Sequence, residues 1–134
     1  MSEPPLGPAA KAALAVRIWA LLPRVLVGLR RDPLPAFVAR LGKAGSRGRP
    51  GHSPARLSRA VDRSLRLGGH RPRCLVNALV LYRLLREQGA AAELVIGLPA
   101  SPKDKDAHAW VELEGVDVGP PPGRSGHEEL ARFS

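Results

Sequence analysis

The sequence is poor in aromatic residues and in cysteine. Two Trp, one Tyr and two Phe make up 4% of the 134 residues, so a core must be built from Leu, Val and Ala. The single Cys excludes an intramolecular disulfide, and no Cys/His cluster of zinc-finger type is present. The chain therefore fits a reducing compartment, and we predict a cytoplasmic protein that uses neither a metal nor another cofactor.

Acidic residues are scarce in the first half of the chain. Residues 1–73 hold 15 Lys and Arg against 3 Asp and Glu, a net +12, whereas residues 74–134 carry a net −3. This imbalance indicates either an anionic partner, such as nucleic acid, a membrane surface or an acidic peptide, or a solvated Arg-rich surface. Nucleic acid is the weaker alternative, because no aromatic residues interleave with the basic run RGRPGHSPAR for base stacking.

A long uninterrupted apolar run is also missing. Residues 12–29 are apolar, but Arg17, Pro23 and Arg24 interrupt them, and a membrane span needs about 20 apolar residues. A secretory signal fits no better, since Glu3 lies where such a signal is cationic. The pattern favours a helix that lies on the domain or at a membrane surface, a possible peripheral membrane contact.

Composition divides the chain into a tail, a basic arm and a compact core. The arm contains a helix over 9–29, kinked or broken at Pro23, and a shorter helical piece over 36–41. A basic linker without large apolar residues follows it. The predicted parts are a disordered tail (1–8), a basic helical arm with its linker (9–52) and a globular core (53–134).

Two helices are predicted to open the core. Ser53 and Pro54 form a helix start, as N-cap and first helical residue, before an apolar stripe at spacing four. A second helix runs from Cys74 and is closed by Gly89. It is apolar over most of its circumference, which predicts a central, buried helix. The stripe of the first helix consists of Leu57, Val61 and Leu65.

Strand patterns follow the second helix. Residues 92–98 and 107–113 read as strands, the second with His108, Trp110 and Glu112 alternating against apolar neighbours. Residues 116–119 return, and the Pro-rich stretch after them is predicted to end the sheet. The fold class is therefore α+β, with a buried helix packed on a small antiparallel sheet. Residues expected to be buried together are Leu75, Leu79, Val95, Val111 and Leu113.

Cys74 and His108 form the candidate catalytic pair. Cys74 opens the buried helix, where unpaired backbone N–H groups and the helix dipole favour a thiolate. Arg71 and Arg73 just before it add positive charge. A Cys at a helix start and a His at a strand start, in this chain order, suit a thiol nucleophile and its base.

The same residues carry a family resemblance. The stretch RCLVNALVLYRLLREQGAAAELVIGL, followed after a polar loop by HAWVELEG, resembles the transglutaminase-like B proteins of lasso-peptide biosynthesis. The resemblance is closer to the stand-alone B2 leader peptidases, and it covers roughly residues 55–123.

This resemblance implies a papain-like cysteine-protease core with Cys74 as nucleophile and His108 as base. It implies removal of the leader from a ribosomally made precursor peptide, so that an ATP-dependent macrolactam cyclase can close the ring. A separate leader-recognition protein is the implied third partner. The alternative is a catalytically lapsed, transglutaminase-like binding module in peptide modification.

One family residue is missing. The resemblance places the third catalytic member, an Asp, at position 120, which is Pro here. Asp117 is the nearest acid, and two hairpins are open: a bulged turn at Gly115, which pairs 112 with 116, or a two-residue turn, which pairs 112 with 117. Neither brings Asp117 to His108. The candidate substitutes are Glu128, Glu129 or a backbone carbonyl.

Overall fold

The computed structural model describes residues 7–43, 52–66, 74–98, 108–119 and 128–133. Within these ranges four helices precede four strands, and the strands form one antiparallel sheet, which confirms the predicted α+β class. The predicted tail and linker, and the residues just before Cys74, lie mostly outside the described ranges. The helices are α1 (Pro8–Arg31), α2 (Leu34–Gly42), α3 (Pro54–Arg66) and α4 (Cys74–Glu87). The strands are β1 (Ala92–Leu98), β2 (His108–Leu113), β3 (Val116–Gly119) and β4 (Glu128–Phe133).

Helix α1 runs without a break through Pro23. Pro23 lies on the exposed side of the helix, where the carbonyl that loses its helical donor can be solvated. The opposite side packs against α3 and α4, so α1 and α2 share one hydrophobic core with the rest of the chain. The buried residues of α1 are Leu14, Ile18, Leu21, Val25 and Gly28.

Helix α3 begins as its sequence predicts. The backbone N–H of Arg56 donates a 3.1 Å hydrogen bond to the Oγ of Ser53, which caps the first turn. All three residues of the predicted stripe are at most 4% exposed. The stripe faces α1 and α4, so the local spacing of four places this helix correctly in the core.

Helix α4 is the central helix. Residues 76–82, 84 and 85 are all buried, as the apolar circumference predicts. The helix ends in a turn at Gln88 and Gly89, and Gly89 has a φ of 82°, which is the left-handed conformation that closes many helices. Helix α4 contacts α1, α2, α3, β1 and β2, so it connects the helical layer to the sheet.

An ion-pair cluster joins α1 to the end of α4. The Glu87 carboxylate accepts hydrogen bonds from Arg17 at 2.5 Å and from Arg83 at 2.9 Å. Burial acts to raise the pKa of Glu87, but the hydrogen bonds and charges of Arg83 and Arg17 outweigh it, and the pKa lies below its ordinary 4.5.

We expect Glu87→Gln to lower the free energy of unfolding by about 1–2 kcal/mol at pH 7, because two partly buried guanidinium groups lose their counter-charge. A lowered pKa in the folded state stabilises the fold above pH 4.5, and this contribution is lost as the pH falls further. The difference between wild type and variant should therefore shrink below pH 4.5 in urea titrations. A difference that grows on acidification would contradict this assignment.

The sheet has the order β3-β2-β1-β4. Strand β4 was not predicted; the expectation that the Pro-rich stretch ends the sheet is wrong. Its sequence, EELARF, has little strand propensity, and the strand forms because it pairs with β1, for example Leu94 with Phe133. The strand is interrupted by a register shift between Ile96 and Gly97, which is typical of an edge strand.

The sheet has an inner face against α4 and an outer face. Ala92, Leu94, Ala109 and Val111 belong to the inner core. Val95 is fully buried but pairs with Trp110, so it lies on the outer face and not in the predicted cluster. The other members of that predicted cluster lie on the α4 side: Leu79 and Val111 are fully buried, while Leu75 and Leu113 are half-buried.

Candidate functional site

Cys74 is the first residue of α4, the position that the sequence predicts. The first N–H groups of a helix have no partner within the helix, and the dipole concentrates positive potential there. The structure describes the backbone position of Cys74 but not its side chain, and the neighbouring Arg71 and Arg73 lie outside the described residues.

His108 is the first residue of β2 and is half-buried. It pairs with Gly97 of β1. Because Gly97 has no side chain, the space beside His108 on the face they share is not occupied by that cross-strand partner. Such a position suits a side chain that must approach groups from other elements.

The backbone topology brings Cys74 and His108 to the same end of the fold. Helix α4 contacts β1, and only residues 88–91 connect them, so the two elements run in opposite directions. The 14-residue helix is about 20 Å long and the seven-residue strand is about 22 Å long, so β1 ends near the start of α4. Gly97 near that end pairs with His108. The action of Cys74 with His108 as a catalytic pair stays a prediction.

The alternation of β2 defines how such a pair would have to meet. Helix α4 packs on the face that carries Ala109 and Val111, and His108 shares the outer face with Trp110. His108 is at the end of its strand, however, and not in the middle of the sheet. The thiol and the imidazole would therefore meet around the end of the sheet rather than across its inner face.

Asp117 is held away from His108. Glu114 and Gly115 have φ values of 53° and 80°, which is the two-residue turn that pairs Glu112 with Asp117. Asp117 is thus four residues along the hairpin from His108, about 13 Å. Its Oδ1 instead accepts a 2.8 Å hydrogen bond from the backbone N–H of Gly119.

The bulged alternative at Gly115 is therefore wrong. The observed hairpin places its irregularity between Val111 and Glu112, and Val111 pairs with Gly119. Position 120 does not come opposite His108 in this register, so Pro120→Asp loses the geometric basis that the bulged turn would have provided. Pro120 itself lies outside the described residues.

A polar network on the outer face was missed because β4 was missed. Trp110 Nε1 donates a 2.8 Å hydrogen bond to Glu112, whose other carboxylate oxygen lies 3.0 Å from Arg132. Arg132 also lies 2.9 Å from Glu93, so three strands are tied together two residues from His108. Trp110 is only 6% exposed, so it supports the sheet rather than lining an open groove.

The other predicted features contribute less to a site. Among the described residues, no group of three His, Cys, Asp or Glu side chains could hold a metal ion. The backbone of His52 exchanges hydrogen bonds of 2.8 Å and 3.0 Å with the side chain of Gln88, which ties the start of α3 to the end of α4.

Comparison with protein families identifies the fold that this geometry represents. The family model of the transglutaminase-like superfamily matches residues 13–132, so the match includes α1 and α2 as well as the sheet. Searches of curated proteins and of solved structures found no match. The superfamily includes cysteine peptidases and transglutaminases. By this match, which covers nearly the whole chain, the protein belongs to the transglutaminase-like superfamily.

Proposed function

We propose that the protein is a cysteine peptidase that removes the leader from a ribosomally made precursor peptide, as in lasso-peptide maturation. The observation that carries the proposal is the convergence of a helix-opening Cys74 and a strand-opening His108 at one end of a transglutaminase-like core. The sequence resemblance to B2-type leader peptidases supplies the substrate class.

The reaction follows from the chemistry of the two side chains. The Cys74 thiolate attacks the carbonyl carbon of the scissile peptide bond, and its new C–S bond gives a tetrahedral oxyanion. The backbone N–H of Cys74 would donate to that oxyanion, an interaction that typically contributes about 3 kcal/mol. When the C–N bond breaks, His108 gives its proton to the leaving amine. Water, deprotonated by His108, then cleaves the thioester and releases the thiol.

Three partners belong to this proposal: the precursor peptide, a separate leader-recognition protein and an ATP-dependent macrolactam cyclase. The short chain supports it, because α1–α4 and the sheet form one core. The proposed compartment is the cytoplasm, where the precursor is made.

The alternative is a lapsed enzyme that only binds peptide, and the Pro at position 120 favours it. Because the chain has a single Cys, alkylation by iodoacetamide reports on Cys74 alone. An active enzyme should show a thiolate formed well below the ordinary thiol pKa of about 8.5. An alkylation profile with an ordinary midpoint would support the binding module and contradict the peptidase.

The position of the missing acid is open to Glu129 from the opposite side of β1. Gly97 pairs with His108 on one side and with Glu129 on the other, so the three residues form one row across the sheet. Two strand spacings separate the outer residues by about 10 Å between Cα atoms, and Gly97 places no side chain between them. We propose that the Glu129 carboxylate takes the role of orienting the imidazole.

Glu129→Gln should lower kcat for precursor cleavage by at least about tenfold with little change in KM, because the imidazole loses its orienting carboxylate. Glu128→Gln is the matched control, since residue 128 pairs with Leu98 and alternates to the other face. Equal kcat values for the two variants would show that Glu129 has no such role. Equal free energies of unfolding would exclude a merely structural effect.

A further inference from the structure

The outward side of α1 is an exposed apolar face. Among the described residues, five large hydrophobic side chains are exposed, and four of them belong to this helix. Their spacing places them opposite Ile18 and Val25, which are fully buried in the core. We call this set the outer face of α1: Val16 (67% exposed), Trp19 (38%), Leu26 (42%) and Val27 (47%).

The charges around this face all have one sign. Helix α1 contains no Asp or Glu, and it carries five cations. The Arg24 and Arg31 side chains border a cleft of about 660 Å³ between α1, α2 and α4. Val27 of the outer face also lines this cleft, and Arg40 lies on its far wall, so apolar and cationic surfaces are continuous there.

We propose that α1 lies along an anionic membrane surface, with its outer face in the acyl boundary and the cleft cations against lipid phosphates. An apolar face with a Trp, flanked by Arg and free of acids, has the composition of an interfacial helix. A highly cationic helix selects an anionic surface, which distinguishes lipid from a neutral protein groove. This proposal does not depend on peptidase activity.

The fold requires that α1 lies on the membrane rather than crossing it. By length and composition alone α1 could span a bilayer, but the helix also builds the core. Ile18 and Val25 pack inside the protein, and Arg17 pairs with Glu87 of α4. A spanning orientation would remove these groups from the core, whereas a surface orientation leaves them in place.

The full chain should co-sediment with phosphatidylcholine vesicles that contain phosphatidylglycerol, and bind pure phosphatidylcholine at least about tenfold more weakly. Added salt should weaken this binding. Trp19 emission should shift to the blue on binding, whereas Trp110 is already buried. Trp19→Phe should therefore abolish most of the shift while most of the binding persists. Absence of binding at low salt would overturn the proposal.

Matched variants separate this face from general surface effects. Val16→Asp and Val27→Asp should each reduce vesicle binding at least about tenfold, whereas Val116→Asp, at an exposed position of the β2–β3 hairpin, should not. Arg24→Gln with Arg31→Gln should reduce binding similarly, and Arg59→Gln with Arg63→Gln on α3 much less. Equal losses in the controls, or preferential binding to polyglutamate instead of vesicles, would overturn the proposal. Concentration-dependent dimers that Val27→Asp dissociates would also overturn it, since another copy would then cover the face.

Discussion

Cys74→Ala should abolish cleavage of the cognate precursor, with a loss of at least about a thousandfold in kcat/KM, because the variant has no nucleophile. The substitution removes one sulfur atom from the start of α4, where helix formation depends on the residues that follow. The measurement is the rate of leader release by mass spectrometry, with the leader-recognition protein present.

Two controls make this result specific. The free energy of unfolding of Cys74→Ala should stay close to that of the wild type, since Ala has a high helix propensity. His108→Ala should lose activity to a similar extent, because residues of one catalytic unit are not additive, and the double variant should be no worse than Cys74→Ala alone. Undiminished cleavage by Cys74→Ala would exclude the mechanism.

Gly28→Val should be the most destabilising substitution in the helical layer, at about 3 kcal/mol. Gly28 is buried where α1 meets α2, and a Cβ there would overlap the Cε1, Cζ and Cδ1 atoms of the Phe37 ring. Phe37 is only 5% exposed, so its ring cannot move outward without opening the corner between the two helices. Chemical unfolding in urea measures the loss.

The cause is separable from helix propensity. Ala20→Val introduces the same β-branched residue at an exposed position of α1 and should cost well under 1 kcal/mol. In the Gly28→Val background, Phe37→Ala should cost much less than it does in the wild type, because the overlap is then relieved. Additive effects of Gly28→Val and Phe37→Ala would show that the ring is not the cause.

The local sequence was sufficient wherever an element is specified by its own residues. The Ser53 cap, the spacing of four in α3 and the apolar circumference of α4 each correspond to an observed feature. Cys74 and His108 open their elements as the patterns predict, because helix starts and strand alternation are short-range properties. The placement of both residues at one end of the fold follows from the short connection between α4 and β1.

Long-range pairing decided the remainder. Strand β4 exists because β1 offers it an edge, and its charged sequence contains no independent strand signal. Val95 lies opposite the predicted side because strand register assigns the faces, and a short apolar run does not distinguish them. The Arg132 network beside Trp110, and the row that joins His108 to Glu129 through Gly97, depend on that same pairing. Contacts between residues distant in sequence are set by the packed tertiary structure, which local propensity does not encode.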